Sequence, residues 1–100
     1  MVSTAFYGDA RYRATLEPVT YRLLRRLGFD GIAVTDSLSL VRSAPVERWA
    51  PPAIHAGADI LLFTSLAHAR RAVRALLPLA RGGELDEHVR RVLRFRASLG

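Results

Sequence analysis

Apolar residues in this chain fall alternately into helical stripes and short unbroken runs. Val19, Leu23, Leu24 and Leu27 recur at helical spacing. They follow Pro18, whose fixed φ suits a first helical position, and Glu17, which lies near the positive end of the helix dipole. Gly28 then reads as the C-cap. Ile32–Val34 does not alternate with polar residues, which predicts a short strand covered on both faces. The serine-rich stretch from Asp36 to Ala44 predicts a loop. Val46 to Ala56 has helical character but carries Pro51-Pro52, which predicts a break and a new short helix from Pro52 to Gly57. Asp59 to Thr64 predicts a second continuous apolar strand. Ala69, Ala72, Val73, Leu76, Leu77 and Ala80 form a helical stripe with Arg70, Arg71 and Arg74 opposite, ended by Arg81-Gly82-Gly83. Glu84 or Asp86 opens a last helix whose expected buried stripe is Leu85, Val89, Val92, Leu93 and Leu99. Met1 to Ala5 reads as the end of a further buried strand, and Tyr7 to Thr15 as a polar loop.

The expected class is therefore α/β. Parallel strands at 1–5, 31–35 and 59–64 alternate with helices near 18–27, 46–56, 67–80 and 84–97. Such a sheet leaves unpaired backbone groups at both edges.

Composition narrows the function classes. One hundred residues make at most one small domain or a piece of a larger one, and half of them are hydrophobic, which excludes a disordered chain. With no cysteine, there is no disulfide framework and no thiolate metal site. The net charge is +6 and every one of the 15 basic residues is arginine. These arginines are spread over all the helical segments, which reads as solvated helix faces and not as a nucleic-acid surface. No leader is visible and no run approaches the ~20 apolar residues of a membrane span. As written, the chain is expected to be cytoplasmic, with the compartment of any longer parent left open.

The strand that runs into Asp36 carries the chemistry worth testing. In an α/β protein, a carboxylate at a strand's carboxyl end lies on the face where active sites are built. On the residue pattern alone, a capping aspartate is the simpler reading. Asp30 and Asp59 read as turn and strand-start residues. His55 and His68 lack partners at metal-ligand spacing, so packing or surface roles are expected. His88, among Glu84, Asp86 and Glu87, reads as a solvated helix residue. Trp49 offers a sugar-stacking face, but its place in a helical segment points to packing.

Four stretches together resemble glycoside hydrolase family 3, in the C-terminal part of its barrel domain. Met1-Val2-Ser3-Thr4-Ala5 with Tyr7 looks like the sixth barrel strand and its exit. Leu23-Leu24-Arg25-Arg26-Leu27-Gly28-Phe29-Asp30-Gly31, followed by Val34-Thr35-Asp36-Ser37-Leu38, looks like the helix, turn and seventh strand. Ala56-Gly57-Ala58-Asp59-Ile60-Leu61-Leu62 looks like the eighth strand, and Val89 to Gly100 is similar to the closing helix. The resemblance implies a partial (β/α) TIM-type barrel over residues 1–100. It also implies a retaining mechanism in which Asp36 is the nucleophile, acting without metal or organic cofactor on terminal β-linked N-acetylglucosaminides or glucosides. Thr4, Tyr7 and Ser37 would line the sugar pocket.

The departures bear on activity. Asp36-Ser37 stands where the N-acetylglucosaminide-cleaving branch has two acidic residues, Leu40 where it has Met, and Thr4 where it has His. The family's acid/base group and its sugar-gripping Lys-His pair have no counterpart here. A nucleophile without its acid cannot run double displacement at a useful rate, so the isolated chain is expected to be inactive. The alternative expectation is a non-catalytic half-barrel that pairs with another copy or another polypeptide through its open sheet edges. A small basic nucleic-acid-binding domain is the third. Carbohydrate is the expected partner of a completed barrel; neither nucleic acid nor membrane is expected.

Overall fold

A computed structural model describes residue 16, residues 18–40 and residues 45–100. The expected strand at 1–5, with Thr4 and Tyr7, lies outside them. The elements run α1 (Pro18–Arg26), β1 (Val34–Ser37), a 3-10 turn (Leu38–Leu40), α2 (Val46–Ala56), β2 (Ile60–Leu62), α3 (Leu66–Arg81) and α4 (Asp86–Ser98). The α/β class holds, with four helices and two parallel strands among the described residues.

Helix α1 starts at Pro18 and closes as its sequence suggests. Gly28 adopts φ 98°, its N–H donates to the Arg25 carbonyl at 3.0 Å, and the Phe29 N–H reaches the Leu24 carbonyl at 3.3 Å. Its apolar stripe is not its buried face, however. Tyr21 is buried, while Val19, Leu23 and Leu27 are exposed.

The first described strand begins later than expected. Ile32 and Ala33 are not strand, and β1 extends through Asp36 to Ser37 where a loop was expected. The cause is Asp59. Its carboxylate accepts the Ala33 N–H at 3.0 Å, while the Ala33 carbonyl accepts from the Asp59 and Ile60 N–H groups at 2.8 and 3.1 Å. Pairing proper then opens at Val34↔Ile60 and ends at Ser37↔Leu62. β2 stops at Leu62 because β1 turns away at Leu38, so Phe63 and Thr64 have no ladder partner there.

The predicted break at Pro51-Pro52 does not occur, and α2 is one helix with both prolines inside. Each proline removes a helical N–H. The carbonyls this frees belong to Glu47 and Arg48, which are half-buried and exposed. The helix is locked in place by the burial of Ala50, Ala53, Ile54 and Ala56. Tertiary packing thus outweighs the local penalty.

Leu61 joins two small clusters into one core. Tyr21, Ala33, Ala56 and Ala58 pack on one side of it, and Leu16, Leu38 and Ala53 with Trp49 and Phe63 on the other. Trp49 packs, as expected for its helical position. Gly57, at φ 138°, lets α2 approach α1: a Cβ there would lie 2.7 Å from the Tyr21 Cβ.

The expected buried stripe of the last helix is not buried. No α4 residue is fully covered, and Val89 and Leu93 are 49% and 55% exposed. The α3 stripe is likewise open at Val73 and Leu77, with only Ala72 buried. The described residues provide no layer to cover these faces. Among the described residues, no helix is long and apolar enough to cross a membrane.

Candidate active-site rim and its opposite anchor

Asp36 is the third of four residues in β1, next to the strand's carboxyl end. Burial alternates along the strand, with Thr35 and Ser37 buried and Val34 and Asp36 half-buried on the other face. The register carries a bulge, since β1 has one more residue than β2 between the two pairs. Bulges re-aim side chains, often next to active sites. Thr35, fully buried, compensates for the lost ladder bond by accepting the Leu62 N–H on Oγ1 at 3.0 Å.

Beyond the bulge, side-chain oxygens organise the strand exit. Asp36 Oδ1 accepts the Ser37 N–H at 2.8 Å, and Ser37 Oγ accepts the Ser39 N–H at 3.3 Å. Short polar side chains satisfy their own turn in this way. Ser39 Oγ accepts the Thr64 N–H at 3.2 Å and pairs with His68 Nδ1 at 3.0 Å. The His68 N–H in turn donates to Ser65, the N-cap of α3, at 3.3 Å. The exit of β1 is thereby tied to that of β2 and to the start of α3. Among the described residues, no cation lies within ion-pair distance of Asp36.

Of the residues singled out in the sequence, Asp36 and Ser37 are adjacent but face opposite ways. Ser37 is 5% exposed and its hydroxyl serves the turn. Thr4 and Tyr7 lie outside the described residues. The Ser39–His68 pair was not apparent in the sequence, because a separation of 29 residues leaves no local pattern.

The other end of the strands carries a charged anchor. Asp59 sits immediately before β2 with its side chain fully buried. Oδ2 accepts from Arg25 Nη2 and the Ala33 N–H, both at 3.0 Å. Oδ1 meets His88 Nδ1 and Arg91 Nη1, both at 2.9 Å. Burial pushes the Asp59 carboxyl upward. Hydrogen bonds from His88, the Ala33 amide and Arg91, with the charge of Arg91, outweigh that and hold it below the usual carboxylate range. The strand-start reading of Asp59 therefore stands in an extended form. The solvated reading of His88 is corrected: its side chain is only 16% exposed and fixes α4 to the strand layer. His55, by contrast, is exposed and pairs with Glu84 at 3.3 Å. Among the described residues, no three His, Cys, Asp or Glu side chains are grouped to hold a metal ion.

The sequence is similar to a β-N-acetylglucosaminidase/β-glucosidase of Cellulomonas fimi, with 38% identity over 89 positions covering 78% of this chain and 15% of that protein. The fold is similar to part of a glycoside hydrolase family 3 β-N-acetylglucosaminidase from Paenibacillus sp. The TM-score is 0.76 and the identity 30%, over 90% of this chain and 19% of that one. A fungal multi-domain β-N-acetylglucosaminidase of the same family matches at TM-score 0.71 and 28% identity, over 99% of this chain and 12% of that one. No family model matches. The chain thus spans less than a fifth of the length of each of these three proteins.

Proposed function

We propose, on the premise that this chain is related to a short segment of glycoside hydrolase family 3, that it carries the nucleophile strand of a retaining glycosidase site, with Asp36 as nucleophile. The barrel needed to complete that site, and the proton donor, come from polypeptide beyond these 100 residues. The observation that carries the reading is the position of Asp36. It stands near the carboxyl end of a parallel strand, on the face opposite the buried Thr35 and Ser37, beside a bulge. There it is aimed by a rigid element and keeps solvent access.

In the completed site, the Asp36 carboxylate attacks the anomeric carbon as a donor roughly 5–5.5 Å away protonates the leaving oxygen. Water then displaces the carboxylate from the glycosyl-enzyme intermediate. The bond from the Ser37 N–H fixes one carboxylate oxygen and leaves the other for attack. The substrates proposed are terminal β-linked N-acetylglucosaminides or glucosides, and no metal or organic cofactor takes part.

The test pairs this chain with a polypeptide supplying the missing strands and assays an activated aryl β-glycoside. Replacing Asp36 by Ala should abolish turnover, and azide should restore it while giving a glycosyl azide of inverted configuration. Turnover that survives Asp36→Ala without azide would refute the assignment. The second reading is a non-catalytic half-barrel, supported by the edges of the β1–β2 sheet, which are unpaired among the described residues. In that case pairing with the missing strands would proceed but no glycoside would be cleaved.

A further inference from the structure

The hydrogen bonds around Ser39 decide where a proton sits. Ser39 lies in the 3-10 turn that follows β1, and its Oγ accepts the Thr64 N–H at 3.2 Å while lying 3.0 Å from His68 Nδ1. A serine hydroxyl has one proton and two lone pairs, and a neutral imidazole has one N–H and one bare nitrogen. With Thr64 as donor to Oγ, the Ser39 proton is free to reach Nδ1, and His68 then keeps its own proton on Nε2. The reverse tautomer would make Oγ accept twice and take this partner from the proton of a half-buried hydroxyl. The bond pattern therefore places the His68 proton on Nε2, with Nδ1 held by Ser39.

The pair ties a short turn to a long helix. His68 stands in the first turn of the 16-residue α3, and its backbone N–H is bound to the Ser65 N-cap at 3.3 Å. Ser39 belongs to a three-residue turn. From it the bonds lead to the rim: the Ser39 N–H donates to Ser37 Oγ at 3.3 Å, and the Ser37 N–H to Asp36 Oδ1 at 2.8 Å. Leu38, fully buried, fixes the depth of the turn. Apolar burial has no direction, so the rotation of the peptide that carries the Ser37 N–H is left to the hydrogen bonds. Every group in this relay belongs to the described residues, and none awaits a partner from the rest of a barrel. On the reading of Asp36 as nucleophile, on which this rests, we propose that Ser39 and His68 are positioning residues for its carboxylate. The bond from the Ser39 hydroxyl to His68 Nδ1 keeps the strand exit in one conformation, and the exit keeps the unbonded Asp36 oxygen aimed in one direction.

The test uses the full chain and the variants Ser39→Ala, Ser39→Thr and His68→Ala. Three-bond couplings should show a single Asp36 χ1 rotamer in the unsubstituted chain and rotamer averaging in Ser39→Ala and His68→Ala. Ser39→Thr keeps the hydroxyl and should return the single rotamer. The double Ala variant should average no further than either single one, because both remove the same bond. Ring nitrogen shifts should place the proton of neutral His68 on Nε2, and an unmoved Leu62 amide signal confirms that the β1–β2 pairing is intact in each variant. In a barrel completed with the missing strands, Ser39→Ala should lower kcat about tenfold or more and leave KM within about twofold, since a misaimed nucleophile weakens the transition state and not substrate binding. An Asp36 rotamer indifferent to Ser39 and His68, a proton on Nδ1, or a raised KM at unchanged kcat would overturn the proposal. Turnover that survives Asp36→Ala would instead overturn the nucleophile, and the couplings would still decide whether the pair holds Asp36.

Discussion

Asp59→Ala should be among the most damaging substitutions in this chain. The carboxylate is fully buried and joins α1, the segment before β1, and α4 through four hydrogen bonds. Removing one partner of a buried ion pair costs about 3–5 kcal/mol, because the opposite charges remain without compensation. Arg25, Arg91 and His88 keep side-chain exposures of 26%, 23% and 16% and can turn partly toward water. That places the expected loss near the lower limit, about 3 kcal/mol. Against a total stability of about 5–15 kcal/mol, such a loss is large. Asp59→Asn keeps the shape but presents an NH₂ group to arginine donors, so it should recover only part of the loss. Urea unfolding followed by the fluorescence of Trp49 measures the total, and hydrogen exchange locates it: α4 amides should lose protection first, since His88 and Arg91 anchor that helix. A change below about 1 kcal/mol, the worth of an exposed pair, with α4 protection intact, would refute the reasoning. The pH dependence has a definite sign. The folded carboxyl is held below its unfolded value, so its contribution is present above about pH 3.9 and is lost as pH falls through the lower folded value. Asp59→Asn should lack that part of the acid sensitivity.

Gly57→Ala should cost about 2–4 kcal/mol in the same urea assay, since φ 138° strains an L residue and the new Cβ would press on Tyr21. A cost below about 0.5 kcal/mol would mean that α1 and α2 can separate freely there. Pro52→Ala should instead stabilise by about 1 kcal/mol, because it restores an N–H for the Arg48 carbonyl at an exposed position in α2. A destabilised variant would show that the prolines themselves hold the helix in shape.

Much of this fold follows from local sequence. Pro18 and Gly28 bound α1, the run through Val34 and Thr35 forms a parallel strand, and the α3 stripe keeps its helical spacing. These features depend on steric and periodic preferences within a few residues, so a single chain displays them. Asp36 was legible for the same reason, as the carboxylate that an apolar strand runs into. Other features depended on partners distant in sequence. Pro51 and Pro52 stay helical because α2 packs through Ala50, Ala53 and Ile54. β1 begins at Val34 because Asp59 occupies Ala33. Asp59 also collects Arg25, His88 and Arg91 from 29 to 34 residues away. The stripes of α3 and α4 are amphipathic by sequence, yet only the tertiary structure shows that among the described residues they are left uncovered. Spacing along a helix determines which side is apolar, but burial requires a second surface, and no local pattern encodes where that surface lies.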